Sequence, residues 1–119
     1  MRVTALLALA WLALLAGCSE APPPALGGDA ENGRLLLRQF GCIGCHRIPG
    51  VAGATGNVGP PLDGVGRRVY LAGVLPNSPA NMVRWIRDPQ SFGFDTAMPD
   101  LQVTESQARD MVAYLQELK

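Results

Sequence analysis

The chain has 119 residues, with ten Lys plus Arg, ten Asp plus Glu and a single histidine, for a formal net charge of zero. That balance speaks against a protein that binds polyanions through a basic surface, so no nucleic-acid partner is expected. The length leaves room for one small domain whose own core would be thin, and three cysteines leave one thiol outside any pair.

Residues 1–17 begin with Met1 and Arg2 and continue into twelve apolar residues, Ala5–Ala16. A positive start followed by a short apolar run is the pattern of an export signal, and the run is well below the roughly 20 residues of a membrane-spanning helix. Leu15-Ala16-Gly17-Cys18 resembles a bacterial lipobox, in which the signal is cut before a cysteine that becomes lipidated. The other reading is an ordinary signal peptide that leaves Cys18 unpaired, which is unexpected in an oxidising compartment. A diacylated Cys18 would anchor the chain without spanning the membrane. Residues 18–28, rich in Pro and Gly, read as a semi-rigid spacer. Removal of residues 1–17 takes away Arg2, so the ten basic residues become nine against ten acidic ones, a net charge of minus one.

The folded part is expected over residues 29–119. A first helix is predicted from near Asp29, a candidate N-cap, to Gln39 or Phe40, with Gly33, Leu36, Leu37 and Phe40 on one side. It leads into Cys42-Ile43-Gly44-Cys45-His46. C-x-x-C-H is the spacing at which two thiols add to the vinyl groups of a haem and the next imidazole ligates its iron. A thioredoxin-like C-x-x-C pair would need a βαβ context, and a zinc site would need further ligands. The sequence offers neither. Because His46 is the only histidine, one haem is the expected maximum, and it cannot have two imidazole ligands.

A second helix is predicted over Pro79–Arg87, with Ser78 as N-cap, proline at the first helical position, and Asp88-Pro89 as the stop. A short helix near Arg68–Ala72 is a weaker prediction. Thr104-x-x-Gln107 is a capping-box pattern, and Ala108, Met111, Val112, Leu115 and Leu118 recur at helical spacing to the end of the chain. No alternation is long enough for a sheet, so the expected fold is all-α, helices and loops wrapped around one covalently held haem c.

The face of the iron opposite His46 needs a ligand or stays open, and methionine is the natural candidate. Met82 and Met111 fall on predicted helices and read as core fillers. Met98 lies in a loop, followed by Pro99, where a thioether has no helix face to pack against. Met98 is therefore the expected second ligand. A thioether favours ferrous iron and raises the reduction potential relative to two imidazoles.

With these features in place, residues 29–119 resemble a class I c-type cytochrome. Gly33 and its apolar neighbours resemble that family's N-terminal helix, which crosses a C-terminal helix bearing the run Ala113-Tyr114-Leu115. Gly59-Pro60-x-Leu62-x-Gly64 resembles the loop whose proline carbonyl accepts the proton on the other nitrogen of the axial imidazole, which makes Pro60 the group that orients His46. The segment Asn77–Pro89 together with Thr96-x-Met98-Pro99 is most similar to the cytochrome c domain fused to subunit II of some haem-copper oxidases. The resemblance implies that Trp85 packs near the methionine side of the haem and that Thr96 and Arg67 reach its propionates. The family usually has Pro-Gly shortly before the ligand methionine, and this chain has Phe94-Asp95.

The resemblance implies a monomeric one-electron carrier, not an enzyme in its own right. Its redox partners would be a donor cytochrome or a quinol-oxidising complex on one side and a terminal oxidase or reductase on the other. Lipidated at Cys18, it would sit on a bacterial membrane with its haem domain facing the periplasm or the cell exterior. A gas-binding module with a displaceable Met98, and a fixed subunit of a larger oxidoreductase complex, are the competing functions.

Overall fold

The structure, a computed structural model, describes residues 26–119. The expected export signal and Cys18 lie outside the described residues, as does most of the spacer. Three α-helices carry the fold: α1 (Ala30–Gln39), α2 (Pro79–Arg87) and α3 (Glu105–Glu117). Each starts where a polar side chain satisfies a free backbone N–H. Asp29 accepts from the Asn32 N–H at 3.1 Å, and Ser78 accepts from that of Asn81 at 3.2 Å. At Thr104 the capping box is complete, since the Thr104 Oγ1 accepts from the Gln107 N–H at 3.3 Å and the Gln107 side chain accepts from the Thr104 N–H at 3.0 Å.

Helix α1 crosses α3 at Gly33. A Cβ there would overlap the backbone carbonyl of Asp110, so only glycine permits the two backbones to come this close. The crossing is pinned at its edge by the Asp110 carboxylate, which accepts from the Asp29 N–H at 2.8 Å and from Nδ2 of Asn32 at 2.7 Å. Leu36 and Leu37 of α1, Met82, Val83 and Ile86 of α2, and Met111, Val112 and Leu115 of α3 form one buried cluster. The helical periodicity read from the sequence thus marks the faces that meet.

Where a short helix was expected near Arg68–Ala72, the chain instead forms a 3₁₀ turn, Val65–Arg67, and a two-stranded antiparallel hairpin. Strand β1 (Tyr70–Leu71) pairs with β2 (Leu75–Pro76), Tyr70 opposite Pro76 and Leu71 opposite Leu75. The helix fails because Arg68 is already extended (φ −66°, ψ 146°) and Ala72 is left-handed (φ 49°). Asn77 rewards that path, donating through Nδ2 to the carbonyls of Val65 and Arg68 at 2.8 and 2.7 Å. The hairpin is a small addition to an otherwise helical domain.

Candidate functional site

Gly41, left-handed at φ 78°, lets the chain leave α1 and enter the 3₁₀ turn Cys42–Gly44 without a spacer. The His46 N–H donates to the Cys42 carbonyl at 2.9 Å, so both cysteines and the histidine share one tight turn. The next loop rests directly on it, with the Gly59 N–H donating to the Cys45 carbonyl at 2.8 Å. A Cβ on Gly56 would come within 2.6 Å of the Gly44 carbonyl oxygen, and one on Gly59 within 2.8 Å of His46 Nδ1. Both glycines are needed for this approach. Gly59 stands in the loop motif quoted from the sequence, whereas Gly56 was not singled out there, although the density of glycine between residues 50 and 59 was a visible signal.

His46 Nδ1 lies 2.7 Å from the carbonyl oxygen of Pro60. A carbonyl can only accept, so Nδ1 carries the proton and Nε2 keeps its lone pair for a metal. The loop is braced just after Pro60. The Leu62 N–H donates to the Arg47 carbonyl at 2.8 Å, and Arg47 Nε donates to Asp63 Oδ2 at 2.9 Å. The Arg47 guanidinium also holds the Asp63 carboxyl below its usual range. An exposed ion pair is worth little alone, but together with the backbone bond it limits how far the loop can swing. On the other side of His46, the Tyr114 hydroxyl on α3 donates to the Pro49 carbonyl at 2.7 Å.

These segments and the three helices enclose a cavity of about 470 Å³, within the roughly 300–1,000 Å³ typical of cofactor and ligand sites. Its walls are mainly apolar, with Leu37, Val65, Leu71, Ile86 and Leu115 among them. Cys42, Cys45, His46, Pro60, Trp85, Thr96 and Met98 all line it, as do Met82 and Met111. Arg67 does not. It is exposed, and the arginine on the cavity wall is the half-buried Arg68. A 3₁₀ turn repeats every three residues, so burying Val65 brings position 68 to the inner side and leaves 67 outside. Arg68 Nη2 donates to the carbonyls of Pro61 and of Asp63, the latter at 3.1 Å.

Trp85 and Phe94 form the wall beside the Met98 loop. Their rings stack at 5.6 Å between centroids with 15° between planes. Phe92 meets Trp85 at 5.7 Å and 51°, and the Arg84 guanidinium sits 5.1 Å above the Phe92 ring. The Met98 N–H donates to Thr96 Oγ1 at 3.2 Å, so the Thr96 hydroxyl shapes the loop locally. Phe94, the residue at which the chain departs from the Pro-Gly pattern, thus has a packing role that its sequence context did not reveal.

Cys42 and Cys45 are free thiols, and burial pushes the Cys42 thiol up. Among the described residues no group of three or more His, Cys, Asp and Glu comes together to hold a metal, which leaves a zinc reading without ligands. The residues present do fit a haem c. Two neighbouring thiols are available for thioether bonds, an imidazole has its Nδ1 held by Pro60 and its Nε2 free, and a loop thioether and apolar walls complete the set.

Residues 30–119 match the protein-family model described as Cytochrome c. The chain is 35% identical over 111 residues to cytochrome c oxidase subunit 2 of Alkalihalophilus pseudofirmus, a match covering 92% of this chain and 31% of that protein. It is 31% identical over 94 residues to cytochrome c oxidase subunit 2 of Bacillus sp. strain PS3, covering 76% of this chain and 26% of that protein. The chain therefore spans less than a third of the length of these relatives.

Proposed function

The chain belongs to the cytochrome c family, and from that premise we propose that it carries single electrons while tethered to a membrane, passing them to a terminal oxidase. The observation that carries this reading is that His46, with its Nδ1 tied to Pro60, and the loop residue Met98 line the same apolar cavity as Cys42 and Cys45. When bound, haem c supplies a one-electron Fe(III)/Fe(II) couple. The chain's own residues decide how that couple is used. Cys42 and Cys45 would hold the porphyrin covalently, and His46 Nε2 and the Met98 thioether would be the ligands this chain offers its iron. Trp85 and Phe94 keep water from the methionine side.

Arg68 takes the place expected of Arg67, on the cavity wall. Val58, Ala97 and Pro99 are exposed lining residues that form an apolar rim. They suit a small, short-lived contact with a partner, and such contacts permit fast turnover. With a net charge near zero, long-range steering contributes little, and tethering raises the local concentration at a membrane-bound partner instead. The oxidase is proposed as acceptor because both relatives above bear the name of an oxidase subunit. That same name favours a second reading, a fixed subunit of an oxidase complex, which copurification in mild detergent distinguishes from a free carrier.

Adding carbon monoxide to the ferrous, haem-loaded chain at neutral pH tests the carrier reading against a gas-binding one. A carrier with both axial positions filled shows no prompt change in its spectrum. A prompt, complete change contradicts it. The tether has its own test. Cys18→Ala is expected to move essentially all of the exported chain from the membrane to the soluble fraction, and continued membrane association in the absence of partners contradicts lipidation at Cys18.

A further inference from the structure

The loop that carries Met98 has almost no backbone structure of its own. Among the described residues, no backbone-to-backbone hydrogen bond involves any residue from Phe94 to Gln102. What holds the loop is therefore side chains. At its start Phe94 is stacked on Trp85 of α2. At its centre Gln90 Nε2 donates to two loop carbonyls, Thr96 at 3.2 Å and Met98 at 3.0 Å.

Gln90 itself stands on a rigid base. Asp88 ends α2 and caps the following 3₁₀ turn, Pro89–Phe92, with its side chain accepting from the Ser91 N–H at 3.2 Å. Ser91 Oγ donates back to the Asp88 carbonyl at 2.8 Å, Pro89 is fully buried, and left-handed Gly93 closes the turn. The turn thus presents the Gln90 amide to the loop from an element anchored in the core.

We propose that Gln90 is a positioning residue for the Met98 thioether, its amide clamping the carbonyls of residues 96 and 98 and so setting how readily the loop lifts the sulfur off the iron. The proposal rests on Met98 being the axial ligand. The chemistry requires an amide. Its NH₂ supplies two donors to two carbonyls at once, whereas a carboxylate of the same shape would place acceptors against acceptors. Because both bonds are exposed, each contributes at the low end of the usual range for a hydrogen bond.

The test uses the full chain matured with haem, in the ferric state, mixed rapidly with imidazole. Loss of the sulfur-to-iron charge-transfer band is followed at imidazole concentrations where the rate no longer rises, so that the rate reports loop opening. Gln90→Glu and Gln90→Ala are each expected to raise that rate about fivefold, with the band intact before mixing and the far-UV denaturation midpoint close to the parent's. Rates within twofold of the parent in both variants, with the parent showing the band and Met98→Ala lacking it, overturn the clamp alone. A parent without the band, or a band that survives Met98→Ala, overturns the thioether reading and the clamp with it.

Discussion

Met98→Ala is expected to remove the ferric sulfur-to-iron charge-transfer band, convert the six-coordinate low-spin iron to an open or water-ligated one, and lower the reduction potential. The expected fall is on the order of 0.1 V, a fraction of the roughly 0.8 V that axial ligands command across haem proteins. Three methionines line the cavity, so the experiment has a built-in control. Met82 and Met111 are 2% and 0% exposed on packed helices, and the Met82 sulfur already accepts from Gln116 Nε2 at 3.8 Å. Met82→Ala should therefore leave the ligands and the band in place. It should instead cost about 2–5 kcal/mol of stability, as truncating a buried methionine does. The two variants separate ligation from packing, because Met98 is only half-buried and packs against the edge of the core, whereas Met82 lies within it. Loss of the band in Met82→Ala alone would assign the ligand to Met82 and contradict Met98.

Cys42→Ala combined with Cys45→Ala is expected to abolish covalent haem completely. The measurement is haem-stained denaturing electrophoresis, or the intact mass of the unfolded chain. The same variant should also fold less stably, because the apolar walls of a cavity of about 470 Å³ lose their permanent occupant in a domain with little core to spare. A denatured double variant that still carries porphyrin would refute both attachment sites.

The helices were legible because their signals are local. Asp29, Ser78 and Thr104 each announce a helix start through a polar side chain placed three residues before the N–H it caps, and the apolar spacing behind each cap marks the buried face. C-x-x-C-H was legible for the same reason, since its five residues form one turn. The Pro60 carbonyl was reached only through the resemblance of Gly59–Gly64 to a known loop, and the structure places it 2.7 Å from His46 Nδ1. What stayed hidden depends on how the folded loops pack rather than on residue spacing. Arg67 rather than Arg68 was expected at the site because the register of the 3₁₀ turn depends on which side of Val65 faces the core. Gln90 gives no sequence signal at all, since an exposed glutamine after a proline reads as a solvated turn. Its two loop carbonyls lie six and eight residues further along the chain.

Optical redox titration of the purified, haem-loaded full chain tests the central claim most directly, because the iron's spectrum reports both axial ligands in both oxidation states. A single reversible one-electron wave is predicted, with low-spin spectra throughout and the sulfur-to-iron band present in the ferric form. An open or high-spin ferrous iron, or a ferric form without that band, would contradict a carrier held between His46 and Met98.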